Sequence, residues 1–373
     1  MHPDAQSLTV MPRGSKLHEM NTFVPGRAMG RCLKNVHSWE SCAQRWRIWA
    51  LGMAVLIFGA GQAGAQTCQT AEEIDPAARH AIETTARQDY DWAAKGDAAS
   101  IRQNAIPSLA SDFGGIESAV KENQAEFSTV QPTVRPPFLL QVEGKDPVAR
   151  AEFLCGVFGK TGQTTNSAVF VIPNLPPGDY AVVTLDVPSK APSTLSLVLQ
   201  KVGADWKLGG FYARPAQAAG HDAKWFLEKA RTFKAKGENL NAWLYYVKAR
   251  DLMVPVPFMS TLQTDQAYDE AQSVQPANVP SAQTPLEISA GGTVYRVTSM
   301  FVVGVDSDVD LVMKYPCASI ADSNQSFQQN LAAIRALAAK YPEVRDAFAS
   351  IIARAVEPSG RDYGTMLAVK EIK

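Results

Sequence analysis

Residues 178–213 read GDYAVVTLDVPSKAPSTLSLVLQKVGADWKLGGFYA. Two apolar runs of strand length, Tyr180 to Val187 and Leu195 to Val202, flank the turn-forming stretch Pro188 to Pro192. A third, Lys207 to Tyr212, follows the turn Gly203-Ala204-Asp205. Branched and aromatic side chains fit a pleated surface, and Gly, Pro and Asp supply the backbone angles of the turns, so this stretch predicts a meander of strands. Further strands are predicted upstream at Phe138 to Val142, Ala151 to Phe158 and Ala168 to Ile172, with a turn at Pro173 to Gly178.

Before Phe138 the apolar period changes. Asp75-Pro76 is a helix start, with Asp as cap and Pro in the first turn. Ala78, Ile82, Ala86 and Tyr90 recur at helical spacing up to Lys95-Gly96, where Gly supplies the stop. Asp97 caps a second helix carrying Ile101, Pro107 and Gly114-Gly115 punctuate the chain, and Ile116 to Phe127 reads as a third short helix. Helices followed by a run of strands define an α+β class.

The segment Tyr90 to Ile101, with Trp92, Gly96-Asp97 and Ile101, resembles the opening of a nuclear-transport-factor-2-like domain. The closing hairpin Leu197 to Tyr212, with Asp205-Trp206-Lys207-Leu208, is similar to that family's last two strands. The resemblance covers about 66–216 and implies helices packed in a curved antiparallel sheet, a cone that encloses an apolar cavity. Tyr90, Trp92, Trp206 and Tyr212 are the candidate lining of such a pocket; their alternative role is plain core, since aromatic side chains dominate core burial. Asn174-Leu175-Pro176-Pro177-Gly178-Asp179-Tyr180 instead resembles a turn of carboxypeptidase-regulatory-like β-sandwiches, the competing architecture.

Residues 222–255 resemble one tetratricopeptide repeat, a helical hairpin. Phe226, Ala230 and Phe233 fit its first helix, Gly237 its turn, Leu240, Ala242, Tyr246 and Ala249 its second helix, and Pro255 falls one place after the expected proline. A single repeat cannot bury its own face. The hairpin is therefore expected to dock against the preceding domain, with partner recognition as the alternative. Ser273 to Pro285, with Pro276, Pro280 and Pro285, reads as a linker. A last α+β unit follows: strands at Thr293 to Val303 and Val309 to Tyr315, a helix from Phe327 to Ala339, a helix opened by Pro342 that holds Phe348, Ile351 and Ile352, and a closing strand from Thr365 to Ile372. The predicted organisation is an amino-terminal extension and signal segment (1–65), a cone-like domain (66–216), a helical hairpin (217–272), a linker (273–285) and a carboxy-terminal α+β unit (286–373).

Export is read from the amino terminus. Arg45-Trp46-Arg47 gives a basic flank, Ile48 to Ala60 carries no charge, and Ala63-Gly64-Ala65 presents the small residues that a signal peptidase reads. The uncharged run is shorter than the ~20 residues of a membrane span; an uncleaved anchor is the alternative. Met20 and Met29 offer later starts. The expected location is periplasmic or extracellular. Residues 1–65 hold seven basic and three acidic side chains of the chain's 36 and 37, so cleavage after Ala65 leaves 29 against 34, a net charge near -5. A mildly acidic chain lacks the concentrated basic surface that nucleic acid requires. With 46% hydrophobic residues it has enough apolar material to fold. Of the three cysteines left, Cys68 and Cys155 are the preferred pair in an oxidising compartment, with unpaired buried thiols as the alternative.

Motifs that carry chemistry fail on their spacing. His80 and His221 lie in no metal-ligand pattern. Asp306, Asp308 and Asp310 start a calcium-like loop, but its sixth and twelfth positions are Leu311 and Cys317, so the acids are expected on the solvent face of a hairpin tip. Gly159-Lys160-Thr161 lacks the earlier glycine of a phosphate loop, where Leu154 stands. Ser118-x-x-Lys121 lacks its Ser-Asp-Asn partner, and no Gly-x-Ser-x-Gly elbow occurs. The reading is an exported protein, leaning non-catalytic, that binds a small ligand or an envelope protein without cofactor or metal. Two others stay open: an acid–base enzyme of isomerase or hydrolase type using Asp91 and a tyrosine inside the cone, which requires Asp91 to be buried in a cavity, and a structural envelope component, which requires an exposed apolar patch.

Overall fold

The computed structural model describes residues 66–372, so the extension and signal segment read in 1–65 lie outside the described residues. The described residues open with β1 (Gln66–Gln69) and α1 (Pro76–Lys95). Asp75 caps α1 by accepting from the amides of Ala77 and Ala78, and Gly96 ends it at φ 72°, a left-handed angle that favours glycine. The short helices α2 (Ala98–Gln103) and α3 (Pro107–Ser111) lead into α4 (Gly114–Phe127). Seven strands follow: β2 (Thr133–Val134), β3 (Phe138–Val142), β4 (Val148–Gly159), β5 (Gly162–Leu175), β6 (Gly178–Val187), β7 (Ser193–Val202) and β8 (Asp205–Pro215). The architecture is α+β.

The main sheet runs β1-β3-β6-β7-β8, with β2 also on β6, and its pairs are antiparallel. Strand alternation gives it two buried faces. Ala181, Val183, Leu185 and Val187 of β6 join Leu195, Leu197 and Leu199 of β7 against Ile82, Ala86, Tyr90 and Phe127 of the helices. The intervening Tyr180 and Val182 point the other way and pack with Leu140 and Val142 of β3 against Phe153 and Phe170 of a second sheet. That sheet is β4 and β5 with a later strand, β11 (Met259–Thr261), on the far side of β5. The result is three layers: helices, main sheet, second sheet. Cys68 of β1 and Cys155 of β4, 87 residues apart in sequence, form a disulfide that ties the two sheets together.

The linking strands β9 (Gln217–Ala218) and β10 (His221–Asp222) precede α5 (Ala223–Ala235) and α6 (Asn239–Met253), and β11 (Met259–Thr261) runs into α7 (Leu262–Ser273). Helices α5 and α6 form the hairpin read at 222–255. Its packing departs from expectation. The aromatic face of Phe226, Phe233 and Tyr245 enters the core of the carboxy-terminal unit, where Tyr245 meets the ring of Phe348 and its Oη donates to the carbonyl of Ala347. Asn241 Nδ2 donates to the carbonyl of Glu343 at 2.6 Å. The preceding domain holds the hairpin less deeply, through β11 paired to β5 and the ion pair of Arg214 with Asp251. The reason is surface supply: both faces of the main sheet are already covered, whereas the terminal sheet still needs cover on one face.

That unit begins with the hairpin β12 (Leu286–Ala290) and β13 (Thr293–Val297), so the 293–303 strand is divided at Thr298 from β14 (Ser299–Val305). Strand β15 (Asp308–Pro316) crosses over through α8 (Ser323–Lys340) and α9 (Val344–Ala347) to β16 (Ser350–Val356), which lies parallel to it, and β17 (Asp362–Ala368) closes the sheet. The helix expected from Pro342 ends at Ala347; Ile351 and Ile352 belong to β16, because a branched apolar run between two strands is stabilised by ladder bonds on both sides. The closing strand ends at Ala368 and passes into a single 3-10 turn. Asn330 of α8 accepts from Tyr315 Oη at 2.7 Å and donates to Thr365 Oγ1 at 3.0 Å, fixing the helix over β15 and β17. Asp310 is another departure from the reading of a solvent-facing acidic tip: it is buried inside β15, and burial raises its carboxyl above the usual range. Among the described residues no helix is long and apolar enough to cross a membrane.

Two predictions concern these joints. A Cβ on Gly304 of β14 would lie 2.2 Å from the amide nitrogen of Ala219 in the β9–β10 turn. Gly304→Ala must push backbone aside, and denaturant melts are expected to show a loss of about 1–3 kcal/mol. Replacing both Cys68 and Cys155 by serine frees a long loop and is expected to lower stability by about 2–5 kcal/mol, with the wild type under reductant moving the same way.

Candidate functional site

The four aromatic residues read as a pocket do not gather around one space. Tyr90 is buried in the helix–sheet core, stacked on Phe127 at 5.2 Å, and its Oη donates to the carbonyl oxygens of Phe127 at 2.9 Å and Val130 at 3.1 Å. Burial pushes its hydroxyl up to about 12. Trp206 is buried in the same core and Trp92 packs partly against it. Tyr212 faces the opposite way. The β7–β8 register shifts between Val198 and Leu199, so Trp206 and Leu208 face the helices before the shift and Phe211 and Ala213 after it. A bulge of one residue exchanges the faces of a strand. Tyr212 therefore meets Phe258 at 5.8 Å, on the side away from Tyr90.

The acid proposed for the cone also sits elsewhere. Asp91 is half-buried on the flank of α1, where its charge acts on the Tyr90 hydroxyl. Two residues earlier, Asp89 is fully buried. Its Oδ1 accepts from Asn104 Nδ2 at 3.1 Å, while its Oδ2 has no partner. Asn104 Oδ1 accepts in turn from Lys207 Nζ at 3.4 Å, so α1, the end of α2 and β8 meet in one polar chain. Burial raises the Asp89 carboxyl to about 7; the Asn104 bond and the Lys207 charge oppose that rise and are weaker. The sequence carried a signal for this residue. Ile82, Ala86, Asp89, Tyr90 and Ala93 are the buried positions of α1, and helical spacing alone puts 89 on that stripe and 91 off it.

A cleft of about 230 Å³ opens elsewhere, where β2 and β7 meet the end of α6 and the start of α7. Arg135, Thr194, Thr261 and Gln263 form its polar walls, and Leu252, Met253 and Pro255 its apolar wall. Asp186 engages the Arg135 fork from Nε at 2.9 Å and Nη2 at 2.6 Å, which holds the guanidinium in place. Thr261 is the cap of α7. Pro255 is read in the sequence only as the proline that closes the helical hairpin, and none of these residues is read there as lining a site, because they come from separate elements of ordinary composition.

His80 is exposed on α1, and His221 lies flat on Trp225 with ring centroids 3.7 Å apart. Among the described residues no group of three or more His, Cys, Asp or Glu is placed to hold a metal ion. Cys317 is a free, half-buried thiol, and burial raises it further. Compared with known proteins, the chain matches no family model, no curated sequence and no solved structure.

Asp89 gives a pH prediction whose sign is fixed. Its folded-state value of about 7 lies above the ordinary 3.8, so the folded chain holds a proton that the unfolded chain releases. This contribution is fully present below about pH 4 and is lost as pH rises to about 7, a loss on the order of 4 kcal/mol that then levels off. Urea melts of the wild type and Asp89→Asn are expected to differ by this slope; parallel profiles would refute it.

Proposed function

We propose that this protein is an exported, non-catalytic binding module of the cell envelope. The observation that carries the reading is the cleft between the sheet and the helical hairpin. Its walls offer a guanidinium and neutral polar groups beside an apolar side, and among the described residues no carboxylate, imidazole or thiol lines it. Such a surface orients a ligand but holds no group that exchanges protons or attacks at neutral pH. The buried acid Asp89 does not line the cleft, so the enzyme reading draws no support from it. Export is supported by the order of basic, uncharged and small residues before Ala65 and by the Cys68–Cys155 disulfide, a bond that persists in oxidising compartments. The likeness of 66–216 to a nuclear-transport-factor-2-like domain and of 222–255 to a tetratricopeptide repeat belongs to the same proposal.

A second reading, a protein-docking or structural role, has an observation of its own. Strand β4 is the outer strand of the second sheet, and it leaves Leu154 60% and Val157 64% exposed. Exposed apolar side chains on a sheet edge favour pairing with another chain. Native mass spectrometry of the protein from its exported fraction, beside a denatured control, separates the two. A small added mass lost on denaturation, and lost again when Met253→Trp fills the cleft, is the expected result. A larger assembly without added mass would replace it with the docking role.

A further inference from the structure

Asp89 is the one buried acid of the first domain, and what covers it is thin. The cover is the loop after α2, which Asn104 opens with its bond to Asp89 and which runs on into α3. None of the five residues of α3 is buried, and of the neighbouring apolar residues Ala105 and Leu109 are only partly so. The cover is fastened to the edge of the main sheet by two backbone bonds, from the Leu208 amide to the Asn104 carbonyl at 2.9 Å and from the Ile106 amide to the Leu208 carbonyl at 2.8 Å. Ala105 thus forms an isolated parallel bridge with Leu208 of β8, the outer strand of that sheet. Arg102 Nε adds one bond to the Ala110 carbonyl at 3.0 Å. Little apolar burial and a few edge bonds are the marks of a segment that opens locally at low cost.

We propose that residues 104–111 are a pH-controlled flap over the β8 edge, held shut by the protonated carboxyl of Asp89 and loosened when that carboxyl must ionise. The geometry couples the two events. Asn104 is both the hydrogen-bond donor to Asp89 and the residue whose carbonyl pairs with β8. In the closed state an ionised Asp89 would keep one oxygen without any partner inside an apolar layer, which is costly. Water reaches it by the shortest route when the Asn104 segment lifts. The surroundings supply little compensation. Lys207 of β8 is the charged group that acts on Asp89 and α2 brings neutral Asn104, while α4 presents Ile116, Val120 and Phe127, and β6 and β7 present Val183, Leu185, Leu195 and Leu197 to this core. Lifting the flap frees the amide and carbonyl of Leu208, so the device exposes a sheet edge able to pair with another chain.

Hydrogen exchange of individual amides in the full chain tests this. The Ile106 and Leu208 amides are expected to exchange at least about 100-fold faster than those of Val182 and Val183 in the middle of β6, through local opening. After correction for intrinsic exchange, their protection should fall by up to about tenfold per pH unit between about pH 4 and 7 and level off above. Tyr295, in the β12–β13 hairpin, should lack that slope. Asp89→Asn should flatten the profiles of Ile106 and Leu208. Protection of these two amides equal to that of β6 would mean there is no flap. A pH-independent profile in the wild type, or a slope that survives Asp89→Asn, would sever the flap from Asp89. Should the variant not fold, the wild-type comparison of edge and central amides still decides.

Discussion

Burial of the main sheet on both faces is the constraint on which the rest depends. A sheet covered on one side can tolerate polar residues at every second position. Here β6 must be apolar at Ala181, Val183 and Leu185 for the helices and at Tyr180 and Val182 for the second sheet. A slip of one residue would exchange the two sets, so register is set by shape and volume on each side. The polar pair left inside, Thr184 and Ser196, is satisfied by its own hydrogen bond at 3.0 Å. The disulfide from β1 to β4 then holds the two sheets together, with Cys155 buried among the apolar side chains between them.

From this follows the placement of the helical hairpin. A sheet with no free face cannot receive the aromatic side of α5 and α6, and that side closes the terminal sheet instead. The chain between the domains is drawn tightly over β14, where only a glycine fits at position 304. The described residues 66–372 consequently form one compact unit, and the cleft arises at the seam where sheet ends and hairpin meet. Binding surfaces commonly form at such seams, since each side is packed for its own core and the two contours match incompletely.

Asp89 shows a second consequence of packing. An acid on the buried stripe of a helix would ordinarily carry a strong penalty. The fold moderates it through one amide, Asn104, which in turn meets Lys207, and leaves the charge of the remaining oxygen to be removed by protonation. The same residue then serves as the anchor of a lightly packed loop, which joins the electrostatics of the core to the order of the sheet edge.

Much of the local structure was legible from residue spacing. The Asp75 cap, the Gly96 stop and the six long strand runs follow from hydrogen-bonding chemistry and from periods of 3.6 and 2, which act within a few residues. Ile351 and Ile352 belong to a strand that spacing does not distinguish from helix, because a short apolar run has no period of its own and the neighbours β15 and β17 decide it. The site was less legible. Tyr90 and Trp206 could be placed in a core, but the bulge that turns Tyr212 away exists only in the pairing of β7 with β8. The cleft gathers Arg135, Thr194, Met253 and Thr261 across more than a hundred residues. The sequence by itself determined the class and many of the longer elements, because caps, turns and periodicity are local. The tertiary structure alone decided which faces meet, which acid loses water and where a cleft remains, because those depend on surfaces that only packing brings together.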